Sequence, residues 1–300
     1  MAAGAGHHRP AGRPAIGEPV RSRRPFRANL RRLFGQAFTV MDLADPLLLF
    51  DGDRPGDEVR EALEREGVSV AGILLDGEAA GYLQREDLDG RPCRSVMHSF
   101  RGSEVVWEDA PLHSIVPMLA EGRAVFVSVL SAVSAVALPA HLQKPAARMF
   151  LFGAITLIEM YMTRRIRDLH PDGGWEGKVQ PRRLSFARAL REERSRRGME
   201  VSLLDCLQLV DKARVLAGDE ALHLLLDFDS GTKARKFFQG IEALRNELAH
   251  GHLFQPETLP VIALLARRFQ ALGDSIHPLG DSVPLDGILA GRTGNGRAGD

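Results

Sequence analysis

The chain has 300 residues, of which 44% are hydrophobic and 26% charged, with formal net charge zero. That is enough globular-type sequence for two ordinary domains, and the neutral balance excludes any argument for nucleic acid from overall charge. Two cysteines, Cys93 and Cys206, stand far apart without Cys-x-x-Cys spacing. They exclude a disulfide framework, point to a reducing compartment, and read as small buried side chains rather than nucleophiles.

In chain order, residues 1–37 are expected to be a disordered basic arm. Arg9, Arg13, Arg21, Arg23, Arg24, Arg27, Arg31 and Arg32 face one acid, Glu18, among several Pro and Gly. Such an arm suits contact with RNA or acidic lipid, and a solvated tail is the simpler reading. No apolar run follows the basic residues, so it is not read as a secretory signal. Cytoplasmic localisation without membrane contact is the expectation.

Residues 38–146 read as one unit repeated. In the first copy Leu47-Leu48-Leu49-Phe50 is a strand, and an acidic helix near Asp57–Glu66 places Val59, Ala62 and Leu63 on one face before Gly67. Val68 to Leu75, the turn Asp76-Gly77 and a strand through Tyr82-Leu83 then form a hairpin, for which Asp-Gly between apolar runs is the signal. The second copy repeats this order: strand Val105–Trp107, helix Leu112–Glu121 with Gly122 after it, and a hairpin from Val125–Leu130 and Val133–Ala137. Gly67 maps on Gly122, and Asp87-Leu88 on His141-Leu142. A repeat of about fifty residues predicts two similar units packed together.

Strand signals end at Lys144, and residues 147–275 read as an all-helical domain. Helices are predicted at Ala147–His170, Arg183–Arg197, Val201–Ala217, Asp219–Leu226, Gly231–His250 and Thr258–Leu272. In the fifth, Phe237, Phe238, Ile241, Leu244 and Leu248 share a face and Gly251 stops the helix. Short connections argue an up-and-down bundle. The apolar run Met149–Met162 is shorter than the ~20 residues of a membrane span and contains Glu159. It reads as a core helix in which Glu159 pairs with an arginine of the bundle. Residues 276–300 are expected to be a flexible tail. The predicted fold class is therefore α+β: a duplicated βαββ module followed by an all-α up-and-down helical bundle.

Two motifs carry resemblances. The run Gly81-Tyr82-Leu83-Gln84-Arg85-Glu86-Asp87-Leu88 resembles the strand end and helix start of CBS domains, here as a tandem pair. The resemblance implies an adenine nucleotide as regulatory ligand, with its phosphate or ribose near Gln84 and its ribose hydroxyls on Asp87. A helix start donates to anions and a carboxylate accepts from a diol. The chain departs from the pattern: Gln84 stands where a hydroxyl is usual, and the second copy, Ala135-Val136-Ala137-Leu138-Pro139-Ala140-His141, has neither group. Asp87 as a plain helix cap is the competing reading.

Arg245-Asn246-Glu247-Leu248-Ala249-His250 resembles the signature of HEPN domains, many of them metal-independent endoribonucleases. The resemblance implies catalysis by Arg245, Asn246 and His250, a homodimer that brings two motifs to one cleft, and an RNA substrate. His250 suits proton transfer, Arg245 a bidentate grip on phosphate, and Asn246, four residues before His250, orientation of the ring. No cofactor is required for such chemistry. Arg165 and His170 have the same spacing, but lack the adjacent Asn. The bland alternative pairs Arg245 with Glu242 and leaves His250 as a helix cap. His250-Gly251-His252 and His7-His8 lack further ligands at metal spacing, so no metal site is expected.

Two functions remain in view. One is a nucleotide-sensing regulatory protein with a metal-independent endoribonuclease domain, its RNA track the basic stretch from Arg182 to Arg197. The other is a non-catalytic CBS-containing regulatory or dimerisation module. Whether a protein inhibitor exists is left open by the sequence.

Overall fold

The structure is a computed structural model that describes residues 37–275. The expectations for the basic arm, apart from Ala37, and for the tail beyond Ser275 lie outside the described residues.

β1 (Asp45–Pro46) leads into the first unit, which comprises β2 (Leu49–Asp51), α1 (Gly56–Glu66), β3 (Val70–Leu75) and β4 (Glu78–Gln84), and β5 (His98–Ser99) leads into the second. The second comprises β6 (Val105–Trp107), α2 (Leu112–Ala120), β7 (Val125–Val129) and β8 (Ala132–Ala137). Two four-stranded sheets result, ordered β2-β3-β4-β5 and β1-β8-β7-β6. In each, a strand pairs in parallel with the next across a helix, and that next strand turns back as a hairpin. The edge strands are exchanged. β1, which precedes the first unit, borders the second sheet, and β5, which precedes the second unit, borders the first.

Local chemistry explains the elements. α1 stops at Gly67, whose φ of +69° is the left-handed cap that glycine adopts without strain. Both hairpins turn through two left-handed residues, Asp76-Gly77 in one and Leu130-Ser131 in the other. Both carry a register shift at the same place, after Ile73 and after Val127. Gly81 lets β5 approach: a Cβ there would lie 2.3 Å from the His98 carbonyl oxygen. The expected helix at Asp87-Leu88 is absent. A 3-10 turn at Arg85–Asp87 is all that forms, because Gly90 and Pro92 follow at once. The matching turn in the second unit, Pro139–Gln143, instead runs into a long helix with Pro145 at its first position.

That helix, α3 (Pro145–Leu169), is the axis of the second half. It is long and apolar enough to cross a membrane by length and composition, and 56% of its most apolar window is buried in the protein. It is followed by α4 (Pro181–Arg196), α5 (Leu209–Val215), α6 (Glu220–Leu226), α7 (Gly231–His250) and α8 (Leu259–Ser275), with no strand among the described residues after Ala137. α3 packs against α5, α7 and α8. The helix predicted over Val201–Ala217 is broken in two. Ser202 and Asp205 bond reciprocally around a 3-10 turn, and extended Gln208 separates it from α5. Of the expected apolar face, Leu203, Leu204 and Leu207 are buried all the same, and Val210 is half-buried. Their spacing reported burial, not helix.

The two units differ in their cores. Val59, Leu63, Ala71, Ile73, Leu83, Leu88 and Cys93 form a small core of the first unit. The second unit shares one continuous core with the helices. α2 lies on α8, and Phe269 stands between His113 of α2 and Phe150 of α3 at centroid distances of 6.0 and 5.0 Å. A third cluster, with Leu47, Val70, Phe126 and Val136, joins the two sheets, and the Tyr82 and Phe126 rings meet at 4.5 Å.

Candidate functional site

Asp87 is not a free carboxylate. Its Oδ2 accepts the Gln84 backbone N–H at 3.0 Å, closing the 3-10 turn, and lies 3.0 Å from His98 Nε2 on the edge strand β5. Gln84 and His98 are exposed, so the group is open to solvent on one side. In the second unit His141 takes the place of Asp87. Its Nδ1 accepts the Leu138 backbone N–H at 3.2 Å, and its Nε2 lies 3.2 Å from Asp45 Oδ2 on the edge strand β1. The acid and the imidazole have exchanged positions. Each unit thus ties the edge strand it receives from the other to its own 3-10 turn with an Asp–His pair, and the two pairs have opposite polarity.

Surroundings then separate the pairs. Lys144 Nζ donates to Asp45 Oδ1 at 2.5 Å and to the Leu43 carbonyl at 2.6 Å. That hydrogen bond holds the Asp45 carboxyl below its ordinary range. Burial, and then Lys144, hold His141 below the ordinary imidazole range, with Asp45 opposing. A neutral ring protonated on Nε2 satisfies both of its contacts. Cys93 is buried, and burial pushes its thiol up, as suits a packing residue.

The second candidate site is the last turn of α7. Arg245, Asn246 and His250 are all exposed. Among the described residues Arg245 and Asn246 make no side-chain hydrogen bond or ion pair, and His250 meets only the His252 ring, at 5.6 Å. The bland roles are therefore vacant or taken by others. Arg245 does not pair with Glu242. The helix end is closed by Gly251, at φ +68°, whose N–H bonds the Glu247 carbonyl. Arg148 of α3 completes it, donating to the carbonyls of Glu247 at 2.7 Å and His252 at 3.0 Å, with its guanidinium 5.0 Å from the Phe254 ring centre. Glu247, inside the motif, is buried and accepts from Thr258 Oγ1 at 3.0 Å, which fixes the start of α8. Arg245 and His250 themselves do not converge within one chain, since five residues turn a helix by roughly 140° from a full repeat.

The rival spacing has a different fate. Arg165 is bound to buried Asp219 at 3.0 Å, and that hydrogen bond raises its basicity. Glu159 pairs with buried Lys212 at 2.8 Å, not with an arginine as expected. Along α4 the basic residues are largely committed. Arg183 bonds Asp211, Arg188 bonds Glu176, and Arg196 and Arg197 bond Glu193. No three His, Cys, Asp or Glu side chains gather at metal-binding distance among the described residues.

Sequence reasoning missed His98, Arg148 and Lys212. Lys212 and Arg148 act across 53 and 99 residues and His98 across 11, and only the Asp87/His141 correspondence hinted at the exchange of polarity.

No protein-family model and no curated protein matches the chain. Solved structures do align with it at low similarity. The CBS-pair protein CBSX2 from Arabidopsis thaliana aligns at 17% identity and a TM-score of 0.33, over 37% of this chain and 96% of that one. A crystal structure of CBSX2 in complex with AMP aligns at the same values over 38% and 98%. A protein from Methanocaldococcus jannaschii aligns at 15% identity and a TM-score of 0.33, over 76% of this chain and 98% of that one. At these values the likeness carries nothing about ligand or activity. The two-fold repeat stands on its strand order and registers alone.

Proposed function

We propose that the protein is a regulatory ribonuclease: a CBS-type pair joined to a HEPN-type helical body that cleaves RNA without metal, as a homodimer. The observation that carries this reading is the end of α7, where Arg245, Asn246 and His250 stand exposed and uncommitted while Gly251 and Arg148 perform the structural capping. A guanidinium, a carboxamide and an imidazole are the groups that in-line attack by a 2′-hydroxyl requires. They bind the phosphorane oxygens, orient the reactants and move the proton. The turn of the helix between Arg245 and His250 is met by a second copy, which supplies the facing motif.

The test is cleavage of single-stranded RNA by the full chain in EDTA, with a 2′,3′-cyclic phosphate left on the product. His250→Ala should lower the rate by about 10²–10⁴-fold. Arg245→Lys should lose much of it as well, because a point charge cannot copy a bidentate fork. Arg165→Lys should retain the chemistry, since Arg165 serves Asp219. Full activity in the Arg245 and His250 variants rejects the proposal.

An adenine nucleotide as regulatory ligand would use Asp87, and its ribose would have to share or displace His98 from that carboxylate. Calorimetry with AMP that shows no heat, or heat unchanged in Asp87→Ala, rejects this part. The second reading, a non-catalytic regulatory and dimerisation module, is favoured by one specific observation: the α4 arginines meant for an RNA track are mostly spent on Asp211, Glu176 and Glu193.

A further inference from the structure

The basic side chains of α4 are largely committed, and those on the exposed face of α7 are not. On α4, Arg183, Arg188, Arg196 and Arg197 are bound to Asp211, Glu176 and Glu193. On α7, Ala234, Phe237, Phe238, Ile241 and Leu244 are buried, and Arg235, Lys236, Gln239, Asn246 and His250 are exposed. Among the described residues Arg235, Lys236, Gln239 and Asn246 make no side-chain hydrogen bond or ion pair. Arg235, Gln239, Asn246 and His250 stand at i, i+4, i+11 and i+15, which an ideal helix brings within about 60° of one another, with Lys236 at the border of the stripe. From Arg235 to His250 the stripe runs roughly 22 Å. Of the two acids of α7, Glu247 is buried on Thr258, which leaves Glu242 alone beside the cations.

Such a row is complementary to a polyanion. Unpaired exposed cations that meet successive phosphates release counterions, and that release drives binding. The carboxamides of Gln239 and Asn246 can donate to phosphate oxygens or base edges. Both aromatic residues of α7, Phe237 and Phe238, are buried, so no base stacks on this helix and the grip is on the phosphate chain. The row ends at Asn246 and His250, so a strand laid along it arrives at the reacting groups.

We infer that the exposed face of α7 is the track for single-stranded RNA, held by Arg235 and Lys236 and led past Gln239 to Asn246 and His250. The inference rests on the ribonuclease reading for the kind of polyanion, and it moves the track from α4 to α7.

The test is binding of a short fluorescent single strand with 2′-O-methyl groups, which cannot be cut by attack of its own 2′-hydroxyl, read by anisotropy over a salt series. Two variants of the full chain are compared with the wild type: Arg235→Gln/Lys236→Gln on α7 and Arg188→Gln/Arg196→Gln on α4. All four changes keep good helix formers at exposed positions. In a plot of log affinity against log salt, the α7 pair should flatten the slope by about 1.4, since each phosphate contact to a single strand is worth about 0.7. At about 50 mM salt its binding should be at least about tenfold weaker. The α4 pair should leave the slope as in the wild type. An unchanged slope in the α7 pair, an equal fall in the α4 pair, or no binding by the wild type overturns the inference. Cleavage of unmodified RNA in EDTA is scored separately. A wild type that binds through Arg235 and Lys236 but does not cut sinks the ribonuclease reading and supports the track. One that cuts while the α7 pair binds as before sinks the track alone.

Discussion

The two βαββ units share strand order, exchanged edges, a register shift and a turn geometry, yet they are held in different ways. The first unit encloses a small core of its own around Leu63 and Ile73, and its Asp87–His98 pair lies near solvent. The second has given up a separate core. Its α2 lies on α8, its last turn continues into α3, and its Asp45–His141 pair is locked by Lys144. The duplicated plan survives because backbone pairing and apolar alternation specify it. What each copy does then depends on what covers its outer face. A copy left uncovered keeps its independence, and a copy covered by helices becomes part of their core.

The largest test of this contrast is a pair of equivalent truncations. Leu63→Ala and Leu119→Ala each remove a buried leucine and should each cost about 2–5 kcal/mol. Their reach should differ. Hydrogen exchange should rise in β3 and β4 alone for Leu63→Ala, and in β7, α3 and α8 together for Leu119→Ala. Equal spreading of both effects would erase the distinction.

A smaller effect is expected in the hairpin turns. Asp76-Gly77 tolerates two left-handed residues, whereas Leu130 and Ser131 adopt φ of +48° and +71° with ordinary side chains, and Leu130 is 91% exposed. Replacing Leu130-Ser131 with Asn-Gly should stabilise the protein by about 1–2 kcal/mol in chemical denaturation, and the same swap at Asp76-Gly77 should change little.

The smallest difference is in acid response. The folded pKa of His141 lies below its ordinary value of 6.5, so the unfolded chain takes up the proton first. Its contribution to stability is complete above that value and is lost as pH falls through the folded pKa. Protonation would also remove the acceptor of the Leu138 N–H. Asp45, lowered from 3.8, gives up its contribution only in stronger acid. Between about pH 7 and pH 5 the melting temperature should therefore fall less steeply in His141→Asn than in the wild type. Parallel curves would remove His141 from the account.

Much of the fold was legible because it is written in local patterns. Both hairpins, α1 with Gly67, α2, and α7 from Gly231 to His250 with its glycine stop follow from period, turn chemistry and caps. The failures have local causes too. Val201–Ala217 shows apolar spacing that a Ser202–Asp205 turn overrides, and Asp87-Leu88 opens no helix because Gly90 and Pro92 close the space. At the candidate site the identities of Arg245, Asn246 and His250 were readable, but their freedom was not. It depends on Arg148, about a hundred residues away, taking the carbonyls at the end of α7.

By itself the sequence determined the elements and their duplication, since periodicity and turn residues act over a few positions at a time. The tertiary structure alone decided which charges were already spent. Asp219 claims Arg165, Glu159 claims Lys212 and His98 claims Asp87, while Arg245 is claimed by no described residue. The reason is physical: an ion pair or hydrogen bond forms wherever packing brings a donor and acceptor within about 3 Å, and that distance is set by the three-dimensional contact of elements rather than by separation along the chain.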